Sequence, residues 1–135
     1  MNILLDTCVI FYITEFRDIK PDKVALIGEA ALAGKLWVSP ISAWEVGMLV
    51  SKGRVPVTKH AFDYFDTFLR ESTAKLCKLD VDVLINSSYL PTGVHADPMD
   101  RLLIATARSQ DFTLLTSDKK ILNYGRQGHV KTLAC

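Results

Sequence analysis

The sequence predicts an α/β fold built on a parallel sheet. Short apolar bursts of strand length alternate along the chain with segments whose apolar residues recur at helical spacing. A chain of 135 residues, without internal repeat, linker-like stretch or charge block, is expected to form one domain spanning 1–135. Successive parallel strands joined by helices need right-handed crossovers, and open sheets of that kind hold ligands beyond the carboxyl ends of their strands. Functional residues are therefore expected just past the end of each strand.

Ile3-Leu4-Leu5 is a short apolar run suited to a buried strand. From Asp22 to Ala33, Val24, Ile27 and Ala31 follow helical spacing, and Gly34 stands where a helix-ending glycine belongs. Leu36-Trp37-Val38 reads as a second buried strand, followed by Pro40 and a helix to about Lys52, closed by Gly53. Phe62, Phe65, Phe68 and Leu69 mark another helix with its aromatics mostly in the core. Lys75 to Leu79 is a further strand candidate, and a helix begins with Val81, Leu84 and Ile85. Asp97-Pro98 opens a helix that runs to about Ser109, with Asp as cap and Pro in the first turn. Phe112 to Leu115 is a clear strand, and Val130 to Leu133 a possible last one.

Hydrophobic residues make up 49% of the chain and charged residues 23%, which excludes a disordered or low-complexity chain. No apolar run approaches the length of a membrane span, and the start reaches Asp6 without a basic segment, unlike a signal peptide. The odd, widely spaced Cys8, Cys77 and Cys135 do not suggest a disulfide framework. A cytoplasmic location is expected. The sixteen basic and fifteen acidic residues leave a net charge of +1, unlike the strongly basic balance of many nucleic-acid binders. A polyanionic partner would need a local basic patch or bound cations.

The acids are placed more tellingly than they are numerous. Asp6 directly follows the first strand, Glu45 lies in the helix after the second, and Asp118 follows Thr113–Thr116 by two residues. Asp97 and Asp100 open the helix that feeds that same strand. In a parallel sheet Asp6, Glu45 and Asp118 converge on one edge, and Asp100 joins them if its helix start points there. Clustered carboxylates repel unless cations neutralise them, and oxygen-only ligands suit Mg²⁺ or Mn²⁺. Such a site can make a nucleophile of water and stabilise charge on a phosphodiester. Each acid also has a purely structural role open to it. Asp6, Asp97 and Asp118 could cap helices, Glu45 could close a capping box with Ser42, and Asp100 could favour a helix's positive end.

Four segments together resemble a PIN-domain ribonuclease, and more narrowly a VapC-type toxin of a type II toxin–antitoxin pair. They are I-L-L-D-T-C-V, V-S-P-I-S-A-W-E-V, H-A-D-P-M-D-R-L-L-I-A-T-A and L-L-T-S-D, and they cover the chain in the family's order and spacing. The resemblance implies a three-layer α/β/α sandwich and a Mg²⁺- or Mn²⁺-dependent cut in RNA. It places the family's metal-binding, catalytic acids on Asp6, Glu45, Asp100 and Asp118. Thr116 matches a supporting hydroxyl beside the last acid, and Asp97 a neighbouring position that is not a metal ligand. Cys8 stands where many relatives carry Asn or Ser. The resemblance also implies a small cognate antitoxin that places a basic side chain among the acids, and a homodimer. The helices after Asp22 and around Phe62 to Leu69 are the candidate partner surfaces.

Other groups carry less. His60, His95 and His129 lack metal-ligand spacing, and the cysteines read as packing residues rather than nucleophiles. Lys52, Arg54, Lys59 and His60 form either a solvated surface or a phosphate contact, and Arg101 either pairs with acids or faces RNA. An aspartyl-phosphate enzyme would want a second acid where Cys8 stands, and a receiver-like Mg²⁺-binding module would leave Glu45 and Asp100 unused. A nuclease outside any toxin pair stays open beside them.

Overall fold

The computed structural model describes residues 1–15, 19–55, 57–94 and 96–135. In these residues the predicted alternation is realised as β1 (Ile3–Leu5), α1 (Thr7–Thr14), α2 (Pro21–Leu32), β2 (Leu36–Val38), α3 (Pro40–Ser51), α4 (Ala61–Ser72), β3 (Lys75–Leu76), α5 (Val81–Asn86), α6 (Pro98–Gln110), β4 (Thr113–Thr116), α7 (Lys119–Arg126) and β5 (Thr132–Ala134). The strands form one parallel sheet in the order β3-β2-β1-β4-β5.

That order reflects the chain's path. From β1 it moves outward through β2 to β3, returns along α5 and α6, and lays β4 on the other flank of β1. The order therefore reverses between β1 and β4, whose register pairs Leu5 with Leu115. A crevice opens at such a switch, beyond the strands' carboxyl ends.

Alternation along the strands divides the core. Leu4 and Leu114 face α6 and α7, where they pack with Leu103, Ile104, Ile121 and Tyr124. Ile3, Leu5 and Leu115 face α1, α2 and α4, packing with Val9, Ile10, Ala30 and Phe68. Helices cover both faces of the sheet, the three-layer arrangement expected. Leu4, Leu114 and Ile104 are fully buried, a burial worth about 2 kcal/mol for each side chain. Helix α3 bridges the layers at the rim, with Ile41 in the first cluster and Val46 packed on Phe11 and Tyr64.

The departures from expectation are local. The segment after Asp6 forms a helix at once, α1, which the spacing of its apolar residues did not reveal. β3 is only Lys75–Leu76, shorter than the predicted run to Leu79, because Cys77 closes the last bond to Val38 and the chain then turns toward α5. Phe62 is exposed, whereas Tyr64 and Phe68 of the same helix are buried. Gly34 ends α2 at φ +70°, as its position predicted. Gly125 in α7 has a different reason: a Cβ there would stand 2.3 Å from Thr132 Oγ1. His95 lies outside the described residues.

Candidate functional site

Asp6 is the last residue before α1 and its N-cap, so the turn from β1 into helix aims its carboxylate out of the sheet's end. It is almost wholly buried and held on both oxygens. Oδ1 accepts the Thr7 N–H at 2.7 Å, and Oδ2 accepts the Thr116 hydroxyl at 2.6 Å and the Cys8 thiol at 3.5 Å. Burial nevertheless pushes its carboxyl above the ordinary range, with the charge of Asp118 adding to the shift.

Thr116 links the two sides of the switch. Its hydroxyl donates to Asp6 and accepts the backbone N–H of Asp118 at 3.0 Å. Asp118 caps α7, its Oδ1 accepting from Lys120 N (2.8 Å) and Ile121 N (3.1 Å). Asp97 caps α6 in the same manner, through Met99 N at 2.9 Å and Asp100 N at 3.3 Å. Capping and convergence thus coexist. The turns that cap α1, α6 and α7 are what deliver the acids to one place.

Glu45 corrects one of the structural alternatives. Helix α3 starts at Pro40 with Ser39 as cap, so Ser42 lies inside the helix and makes no capping box with Glu45. Oε1 of Glu45 accepts instead from Thr7 Oγ1 at 2.7 Å, and that hydroxyl also lies 2.9 Å from Ser42 Oγ. Glu45 is raised above the ordinary carboxylate range by burial, against which Thr7 acts, and by the charges of Asp6 and Asp97.

Asp6, Glu45, Asp100 and Asp118 line one cleft of about 360 Å³, together with Thr7, Cys8, Tyr12 and Ser117. No Lys or Arg lines it among the described residues, while Lys119 and Lys120 line the adjoining hollow with Asp97, Asp100 and Asp118. The carboxyl of Asp100 is pushed up to about 8 by burial and then by Asp6, Asp97, Asp118 and Glu45. All four predicted acids therefore meet, with Asp97 beside them and Thr116 beneath. Sequence reading missed Thr7 and Ser117; Ser117 joins the wall through Tyr12 (2.9 Å) and Cys8 (3.4 Å). Their signal was adjacency, since each directly adjoins a residue that carries the acid network.

The donor set is oxygen-rich and negatively charged, the chemistry that suits a hard divalent cation. Among the described residues no three His, Cys, Asp or Glu side chains stand close enough together to grip one ion as placed. The fit is one of donor chemistry and charge rather than of preformed ligand spacing. The other candidates are accounted for elsewhere. His60 Nδ1 caps α4 by accepting from Phe62 N, Arg101 donates Nε to the Ser87 carbonyl, and all three cysteines are free thiols.

The model of the PIN domain matches residues 3–127. The chain belongs to the PIN-domain family. Members of that family are nucleases. Solved structures agree on the fold. VapBC2 from Rickettsia felis, bound to a DNA fragment from its promoter, is 19% identical with a TM-score of 0.73, covering 99% of this chain and 98% of that one. DNA-bound VapBC from Salmonella typhimurium is 16% identical with a TM-score of 0.67 over the same shares. FitAcB from Neisseria gonorrhoeae is 18% identical with a TM-score of 0.60, covering 97% and 96%. No curated protein matches the sequence. Among the described residues no helix is long and apolar enough to cross a membrane.

Proposed function

We propose that this PIN domain is a Mg²⁺- or Mn²⁺-dependent endoribonuclease that acts in the cytoplasm as the toxin of a toxin–antitoxin pair. The observation that carries the reading is the single cleft at the sheet's carboxyl end into which Asp6, Glu45, Asp100 and Asp118 converge, with burial and neighbouring carboxylates pushing Asp100 up. Such a cluster lowers the stability of the fold until cations neutralise it. Asp6, Glu45, Asp100 and Asp118 are the residues that would hold the metal. When bound, a divalent ion supplies an activated water and neutralises charge on the phosphodiester.

The chain's own residues do the rest. Three donors fix Asp6, so its carboxylate keeps its position at the sheet's end. Thr116 couples the placement of Asp6 to the backbone of Asp118. Thr7 holds Glu45 at the rim from the first turn of α1. Asp97 orients the first turn of α6 and with it Asp100. Burial and the neighbouring carboxylates favour the protonated form of Asp100, and a cation held in the cleft would favour its ionised form.

A cognate antitoxin fits the same electrostatics. An Arg or Lys inserted by a small partner protein would pair with Asp6 and Asp118 and take the cation's place. VapBC and FitAcB are named among the structural neighbours, which supports the toxin reading; the homodimer is proposed with it. Asp6→Asn should keep the fold and lose RNA cleavage, and wild-type cleavage should cease in excess EDTA. Cleavage that persists in EDTA would overturn the metal-dependent reading. Expression of the chain alone should arrest growth, with recovery when the adjoining small gene is co-expressed. Harmless expression of folded, metal-loaded protein would leave a nuclease outside any toxin pair.

A further inference from the structure

The opposite end of the molecule carries the reverse charge. Helix α6 runs from Asp100 at the acidic cleft to Gln110, and Arg108 lies about 12 Å along its axis from Asp100. There the N-terminal ends of β4 and β5 meet the ends of α6 and α7 around a concavity lined by Arg108, Arg126, His129 and Lys131. Asp111 is the acid in its wall, and it is paired with Lys131 at 2.7 Å. Neither Arg108 nor Arg126 has a carboxylate partner among the described residues; Arg108 donates to the His129 carbonyl.

Arg108 also lines a second, adjoining cavity beside Asn86, Tyr89 and Pro91. The two cavities adjoin at Arg108, which lines both. Tyr89 lines the second, 80% exposed, an aromatic ring that the core does not use. Toward the acidic cleft, Arg101 stands seven residues before Arg108 and therefore shares its face of α6. Both guanidiniums bear on the Tyr124 phenol, whose hydroxyl is fixed to the Pro91 carbonyl at 2.6 Å.

The helix dipole favours a cation near the end of α6 and another near the end of α7, which accounts for Arg108 and Arg126 singly. It does not account for an open tyrosine in the cavity beside Arg108, nor for two guanidiniums on one surface without a carboxylate partner among the described residues. Cations along a groove together with an exposed aromatic are what single-stranded nucleic acid requires: charge for its phosphates and a flat face for an unpaired base.

We propose that the groove from Tyr89 through Arg108 to Arg126, His129 and Lys131 binds single-stranded RNA away from the scissile phosphate. Arg108 and Arg126 contact phosphates, and Tyr89 stacks on an unpaired base. The proposal rests on the ribonuclease reading and extends it: the acidic cleft repels the backbone it must cut, and α6 joins that cleft to a surface that attracts it.

The test uses full-length Asp6→Asn protein in EDTA, so that neither cleavage nor cation bridging contributes. Binding of a fluorescein-labelled single-stranded RNA is followed by anisotropy across a salt series. Replacing Arg108 and Arg126 together by Gln should weaken binding about tenfold and flatten the slope of log K against log salt by about 1.4, two phosphate contacts on a single strand. Tyr89→Ala should weaken binding about tenfold with the slope unchanged, and duplex RNA should compete poorly with the single strand. Arg126→Gln alone removes an exposed side chain without a hydrogen bond to the fold, so its smaller effect is free of misfolding. Variants that bind as the parent does, or a duplex that competes equally, would overturn the groove. If the parent binds no RNA and the Asp6-intact protein cleaves none, the ribonuclease reading falls as well. Cleavage by the Asp6-intact protein, with binding indifferent to these substitutions, overturns the groove alone.

Discussion

Asp100→Asn should stabilise the cation-free protein and reduce what Mg²⁺ adds. The carboxyl is held at about 8 in the folded chain, first by burial and then by Asp6, Asp97, Asp118 and Glu45. Between its ordinary value and about 8 the folded state keeps a proton that the unfolded state has lost. Stability therefore falls as pH rises through that window, and the whole penalty is present above it. A rise of that size is nominally about 6 kcal/mol, but Asp100 is only half-buried and water screens its neighbours, so about 2 kcal/mol is the working figure. The neutral isostere removes it. In a chain of 135 residues this raises the melting temperature by roughly 5–8 °C near pH 8 and by little near pH 5, where Asp100 is already protonated in the fold. Thermal melts of both proteins in EDTA at the two pH values measure the difference, and repetition in Mg²⁺ measures the metal-induced gain. Asp100→Asn should shrink that gain. A variant that melts lower at both pH values, with the full response to Mg²⁺, would show that Asp100 is structural and that the electrostatic account of the cleft is wrong.

Thr116→Val removes the hydroxyl that Asp6 and the Asp118 N–H share, so cleavage should drop at least tenfold while the fold persists, read as kcat against circular dichroism. Thr7→Val should act more mildly, releasing Glu45 at the rim; a loss equal to that of Glu45→Gln would show that Glu45 works only when held. Gly125→Ala should cost about 1–3 kcal/mol in urea denaturation, because its Cβ would stand 2.3 Å from Thr132 Oγ1, and an unchanged midpoint would contradict the packing of α7 on β5.

How much of this could be read from the chain depended on how local the signal was. β1, β2 and β4 were legible because strands buried on both faces of a parallel sheet become continuous apolar runs, such as Ile3-Leu4-Leu5. Helix α6 was legible because Asp97 and Pro98 specify its start chemically. Helix α1 was not, because Thr7–Thr14 packs apolar residues on nearly every side and so lacks a periodic stripe. β3 was overextended for another reason: apolar residues recur at Leu76, Cys77 and Leu79 after pairing with β2 has ended. The strand order β3-β2-β1-β4-β5 is a property of crossovers, and no residue encodes it singly.

The acids were legible because each stands just past a strand or at a helix start, places where a parallel sheet collects side chains. What sequence position could not convey is that structural and chemical roles fall on the same oxygens' neighbours. Asp97 and Asp118 cap helices and still bear on Asp100, because a cap uses one carboxylate oxygen and leaves the residue's charge in place. The hydroxyls were harder still. Thr7 and Thr116 are ordinary residues of a helix and a strand, and their role exists only when β1, β4 and α3 are brought together. They hold Asp6 and Glu45 in a wall without a basic partner among the described residues, and each hydrogen bond lowers the cost of keeping a carboxylate ionised there. Asp100 is the acid on which the remaining repulsion falls. The cleft is thus graded, with Asp6 and Glu45 restrained by hydroxyls and Asp100 raised by burial and by its neighbours' charge.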